Sequence, residues 1–148
     1  MPIRFEDFVV GQVDRFGAYA VSREEVLAFA AAYDPQPFHL DDAAAAANPI
    51  FGRLAASGWH TAAMTMRMMV DRWQALGGTS LGSPGVDEMR FLKPVFPGDI
   101  LSVEAEVLAM RPLASRPDRG VVTSRTRTIN QDGDAVLSFT ASAFWPRG

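Results

Sequence analysis

Asp34 and His39 stand five residues apart in the stretch Tyr33-Asp34-Pro35-Gln36-Pro37-Phe38-His39-Leu40-Asp41. A carboxylate and an imidazole are the usual pair for activating a water and moving its proton. Pro35 and Pro37 restrict the backbone between them, so the loop can hold the two at a set geometry. A plainer reading fits the same residues: Asp34 caps a helix and His39 is a satisfied loop histidine. Spacing alone favours that plainer reading. Other chemistries find less support. His39-Leu40-Asp41 suggests a metal-ligand pair, but with two histidines, no cysteine and no third ligand cluster, a zinc site is rejected. No serine sits in a nucleophile-elbow sequence, and no glycine-rich loop of the dinucleotide-binding type is present. No cofactor is expected. His60 reads as a satisfied helix histidine rather than a catalytic one.

The elements that must position this pair can be read from pattern. Residues 12–19 read as a strand. Ser22 is a helix N-cap with Glu25 three residues on, a capping-box spacing. Val26, Phe29, Ala30 and Tyr33 follow at helical intervals, and Pro35 should stop the helix at Asp34. Asp41-Asp42 and five alanines form a short helix with its acids at the positive end, ended by Asn48-Pro49. Residues 58–76 are the long-helix candidate, with Ala62, Met66, Met69, Val70 and Trp73 on the face expected to be buried. Gly77-Gly78 ends it. The methionines Met64, Met66, Met68 and Met69 read as core, with a soft lining for an acyl tunnel as the sharper alternative.

Beyond residue 80 the pattern turns to strands. Residues 86–95 form one, and Phe96-Pro97-Gly98-Asp99 is a type II turn. Leu101, Val103, Ala105 and Val107 alternate with polar residues in a half-buried strand. Residues 111–120 read as a polar, proline-containing loop, and residues 121–130 as a Thr- and Arg-rich strand. Asp132-Gly133 closes a hairpin, and Leu137 to Trp145 alternate in the last strand. This order predicts an α+β protein whose antiparallel sheet wraps one long helix.

Bulk properties narrow the class. The chain has 148 residues, which fits one domain over 1–148 with room for a core. A net charge of −3 gives no general attraction to nucleic acid or anionic membrane. Cysteine is absent, so disulfides and a thiol nucleophile are excluded, and a cytoplasmic location is expected. The N-terminus lacks the apolar run of a secretory signal. No segment reads as a membrane span, because the longest candidate, 55–70, carries His60 and Arg67.

Three stretches together carry a resemblance. Asp34, Pro37 and His39 fall in register with the Asp, Asn-Pro and His of the MaoC-like, (R)-specific enoyl-CoA hydratase family. Phe51-Gly52-Arg53 and Ser57-Gly58 resemble that family's Phe-Gly segment and its His-Gly helix start. Phe91-Leu92-Lys93-Pro94-Val95-Phe96-Pro97-Gly98-Asp99 resembles its first strand and turn after the central helix. Gln36 stands where the family has Asn, Tyr33 where a small residue precedes the Asp, and Ser57 where His is frequent. The resemblance implies a hot-dog fold and reversible hydration of trans-2-enoyl thioesters, carried by CoA or acyl carrier protein, to (R)-3-hydroxyacyl thioesters. It implies that Asp34 and His39 activate the water. The Gly58 N–H would stabilise the thioester oxyanion, with Ser57 and Gln36 lining the substrate site. Arg53, Arg67, Arg125 and Arg127 could meet CoA phosphates, although surface solvation explains them by default. The resemblance implies a homodimer or larger, and strand 121–130 looks suited to sheet extension or a contact surface. The alternatives are a hot-dog thioesterase, which usually carries a carboxylate on the central helix, and a non-catalytic module that binds acyl thioesters. No Asp or Glu lies between Asp42 and Asp71, which disfavours the thioesterase.

Overall fold

The computed structural model describes residues 2–148. Strand β1 (Val13–Ala20) is followed by α1 (Arg23–Tyr33), a 3-10 turn (Pro37–His39), α2 (Asp42–Ala47) and α3 (Gly58–Ala75). Then come β2 (Gly85–Phe91), β3 (Ile100–Leu113), β4 (Arg116–Ile129) and β5 (Ala135–Pro146). All five strands join one sheet in the order β1-β3-β4-β5-β2, and every neighbouring pair is antiparallel. α3, about 27 Å long by its helical rise, packs against this sheet. This is the α+β hot-dog layout expected from the sequence.

Local chemistry explains the helix limits. The Ser22 hydroxyl accepts from Glu25 N at 3.1 Å and caps α1. The Glu25 carboxylate does not close the box; it accepts from the Tyr19 hydroxyl at 2.7 Å. Asp34 is the C-cap of α1, as Pro35 dictates. Asp41 Oδ2 accepts from Ala44 N at 2.8 Å and starts α2. The turn at 96–99 has the expected form: Asp99 N–H reaches Phe96 O at 3.0 Å, and Gly98 has φ of +96°, which a side chain rarely tolerates.

The core lies between α3 and the inner face of the sheet. Leu101 and Val103 of β3, Val136, Leu137 and Phe139 of β5, and Met64 and Met68 of α3 are buried in one cluster. Each such side chain contributes roughly 1.5–3 kcal/mol by leaving water.

The buried face of α3 overlaps the expected one only in part: Ala62, Met69 and Trp73 pack against the core as expected, but at its edge. His60, Thr61, Met64, Thr65 and Met68 face inward, whereas Met66 is 46% exposed. The threonines can be buried because their hydroxyls are satisfied. Thr65 Oγ1 donates to Thr61 O at 2.8 Å and also meets Thr128 Oγ1 of β4. Of the expected face, Met66 is left toward the surface.

Three strand expectations also change. The polar stretch 111–120 is not a loop: β3 and β4 continue through it, with Arg111 opposite Val121 and Pro112 opposite Gly120. The hairpin projects past the core, so its residues are polar and exposed while the ladder still satisfies its backbone. β2 stops at Phe91 rather than Val95. Beyond it, Val95 O accepts from Ala56 N at 2.8 Å, tying this segment to the approach to α3. Finally, strand 121–130 offers no edge for sheet extension, because β4 is paired on both sides, to β3 and β5. The free edges belong to β1 and β2.

Candidate active site

The site forms where the end of α1, the 3-10 turn and the start of α3 meet. Termination of α1 at Asp34 turns its carboxylate toward the chain that leads into α3. Pro37 opens the 3-10 turn and His39 ends it, which tucks the imidazole inward; His39 is 3% exposed. Phe38 and Phe51, stacked on each other at 5.1 Å, both pack against the ring at centroid distances of 4.5 and 5.4 Å.

Hydrogen bonds fix the orientation of both groups. His39 Nδ1 lies 2.8 Å from Ala55 O. A carbonyl only accepts, so Nδ1 carries the hydrogen, and in the neutral ring Nε2 is left with a lone pair. That Nε2 lies 3.5 Å from Asp34 Oδ2. Asp34 Oδ1 accepts from Gln36 Nε2 at 2.7 Å, and Oδ2 accepts from the Ser57 hydroxyl at 2.7 Å. Burial tends to raise the Asp34 pKa, but the hydrogen bonds from Gln36 and Ser57 hold it below the ordinary aspartate value. The carboxylate is therefore ionised near neutral pH.

An ionised carboxylate and a neutral imidazole Nε2 are both acceptors. They face each other at a distance slightly too long for a direct hydrogen bond. A water donating one hydrogen to each would match them both and keep its two lone pairs free, one of them to attack. The geometry thus suits water activation better than it suits two unrelated structural residues.

Of the residues singled out from sequence, Asp34, Gln36, His39 and Ser57 come together in this network. Gly58 follows directly as the first residue of α3. Its N–H is at a helix start, where no intrahelical acceptor exists and the dipole is positive. Phe91 lies against it: a Cβ at Gly58 would fall 2.7 Å from the Phe91 ring. Arg53 stacks over the Phe96 ring at 3.8 Å. Arg67 pairs with Asp71 at 3.1 Å, and Arg127 pairs with Glu104, so neither is an unpaired cation. The Ala55 carbonyl and the Phe91 ring were missed, and neither has a sequence signature. A cavity of about 440 Å³ lies at the other end of α3, lined by Met69, Trp73, Val107, Val122 and Trp145 among others. Asp34 and His39 do not line it. Its carboxylates include Asp14, held by Arg72 at 3.0 Å, so it is a poorer candidate for acid–base chemistry than the smaller polar cluster.

His60 takes no part in the network. Its ring stacks on Phe29 at 4.8 Å, and its buried Nδ1 has no hydrogen-bond partner. Burial lowers its pKa from 6.5, opposed by the charge of Glu25. The unfolded chain then binds more protons below that value, so His60 favours folding fully above it and progressively less as pH falls toward the folded pKa. His60→Phe, which keeps the stack, should therefore flatten the loss of Tm between about pH 7 and about pH 5. Melting curves at both pH values test this; an unchanged slope would show that another group controls it.

Residues 7–131 match the family described as MaoC like domain. The chain belongs to this family. Among solved structures, the MaoC-like dehydratase of Rhodospirillum rubrum superposes with a TM-score of 0.87 at 41% identity, covering 99% of this chain and 98% of that one. The (R)-specific enoyl-CoA hydratase of Aeromonas caviae is 35% identical over 130 residues, 87% of this chain and 84% of the relative. A Mycobacterium tuberculosis protein described as a double hotdogfold superposes on 99% of this MaoC-like chain with a TM-score of 0.81, using 45% of its own length. At 20% identity this last likeness concerns the fold alone. Among the described residues, no helix is long and apolar enough to cross a membrane.

Proposed function

We propose that this MaoC-like protein reversibly hydrates trans-2-enoyl thioesters to (R)-3-hydroxyacyl thioesters. The observation that carries the reading is the convergence of two acceptors, Asp34 Oδ2 and His39 Nε2, 3.5 Å apart at a partly buried site. The likeness to an (R)-specific enoyl-CoA hydratase supports it. Asp34 takes a proton from the water as its oxygen bonds to the β-carbon. The displaced electron pair moves to the thioester oxygen, which the Gly58 N–H stabilises as an enolate. A proton from the Asp34–His39 pair then reaches the α-carbon, so one water is added in total. The carrier is CoA or acyl carrier protein.

The active form in this reading is at least a dimer, joined through the free edge of β2. Val86 and Phe91 on that strand are 49% and 51% exposed, and Leu92 and Trp59 nearby are 47% and 60% exposed. Phe91 and Trp59 meet edge to face at 5.7 Å, so a partner covering this edge would also bury the surface beside Gly58.

Crotonyl-CoA tests the reading directly. The expected result is loss of the conjugated-thioester absorbance without free thiol, with an (R) product by chiral analysis and a light-scattering mass of at least a dimer. Thiol release would establish a thioesterase instead, no reaction would favour a binding module, and mainly (S) product would refute the stereochemical assignment. α3 holds one carboxylate, Asp71, which is exposed and tied to Arg67, so thiol release is not expected.

A further inference from the structure

We propose that Ser57 is a positioning residue for Asp34, linking the general base to the first turn of α3. The proposal rests on the hydration reading above. Ser57 is fully buried, and its hydroxyl has two jobs. It donates to Asp34 Oδ2 at 2.7 Å, and it accepts from Trp59 N at 3.3 Å as the N-cap of α3. A hydroxyl has one hydrogen. With that hydrogen on Asp34, Ser57 does not donate to the thioester; it acts through the carboxylate.

The consequence is geometric. Oδ2 is the Asp34 oxygen that faces His39 Nε2. The Ser57 hydroxyl occupies one of its lone pairs and leaves another for the water. Gln36 fixes the opposite oxygen, Oδ1, at 2.7 Å. The carboxylate is thus held at both ends, and its rotation is tied to the start of the helix that bears the Gly58 N–H. The base on one side of the substrate and the oxyanion donor on the other are set by one buried side chain.

The charged and titratable groups around Asp34 are few. His39, from the 3-10 turn, is the titratable group nearest it, and its ring acts on the Asp34 charge when protonated; Gln36 and Ser57 are neutral donors. His60, on the first turn of α3, stacks on Phe29 of α1. Arg53, on the segment before α3, stacks on Phe96. Removing the Ser57 hydroxyl therefore withdraws one of the two hydrogen bonds that favour the ionised carboxylate, without adding or removing a charge.

The test compares Ser57→Ala, which deletes the donor, with Ser57→Thr, which restores it, and Ser57→Cys, which keeps the shape with a weak donor. Ser57→Ala should lower kcat about 10-fold, the scale of one hydrogen bond to a charged group, with a smaller change in KM. The acid limb of its rate profile should move to higher pH, because Asp34 protonates more readily. Ser57→Thr should recover the wild-type limb, and Ser57→Cys should fall between. A carbon-13 carboxylate titration, with the Asp34 signal assigned by its absence in Asp34→Asn, should show the same upward movement in Ser57→Ala. A lowered Tm with kcat, acid limb and Asp34 titration all unchanged would overturn the proposal and leave Ser57 as a helix cap. If wild-type protein fails to hydrate crotonyl-CoA, the hydration reading falls. The carboxylate titration then still decides whether Ser57 holds Asp34.

Discussion

Asp34→Asn is expected to lower crotonyl-CoA hydration by roughly 10²–10⁴-fold, the usual contribution of a general acid–base group, while the protein stays folded. The Asn side chain is nearly the same size and can still meet Gln36 and Ser57, so the local structure has little reason to move. What it loses is the negative charge that accepts the water's proton. His39→Ala should cause a comparable loss, but it also deletes a buried ring packed against both Phe38 and Phe51. His39→Asn is the cleaner variant: its amide N–H can replace Nδ1 in the hydrogen bond to Ala55 O while the Nε2 acceptor disappears. Steady-state turnover and a melting curve on the same preparation provide the check. Near-wild-type turnover in either variant would remove that residue from the mechanism.

Gly58→Ala is expected to cost on the order of 10²–10³ in turnover, the range for losing one oxyanion donor. Gly58 does not lie in the left-handed region; among the described glycines with positive φ it is absent. Backbone strain is therefore not the mechanism. Crowding is: the added methyl would come within 2.7–2.8 Å of the Phe91 ring, closer than packed carbons allow. Phe91 is half exposed, so the ring can swing outward, but it would then stand over the approach to the Gly58 N–H. Combining Gly58→Ala with Phe91→Leu separates the two effects. The double variant should regain any lost Tm and remain slow, because the methyl still blocks the thioester oxygen. Recovery of full turnover would mean that ring displacement was the whole effect and would retire the oxyanion role.

The α+β class and most helix limits were legible because they are set locally. Ser22, Pro35, Asp41 and Gly98 act through hydrogen bonds or φ restrictions within a few residues, and the structure shows each where the pattern placed it. The stretch 111–120 was misread because its composition is that of a loop, while its conformation is imposed by a neighbouring strand. The buried face of α3 was misread in part, at Met66, for a related reason. Hydropathy favours Met66 over Thr65, but only the fold supplies Thr128, which lets a threonine hydroxyl go inside.

The sequence by itself determined that Asp34 and His39 lie near each other, because five residues and two prolines leave the loop little freedom. It could not orient them. That orientation depends on the Ala55 carbonyl, 16 residues beyond His39, and on the Ser57 hydroxyl, 23 residues beyond Asp34. Both arrive only when the segment before α3 docks beside Val95. The position of Phe91 over Gly58 likewise follows from where β2 ends on the sheet. A hydrogen bond or ring contact between distant residues leaves no periodicity in a sequence, since its geometry is fixed by how helix and sheet pack and not by the residues at either end.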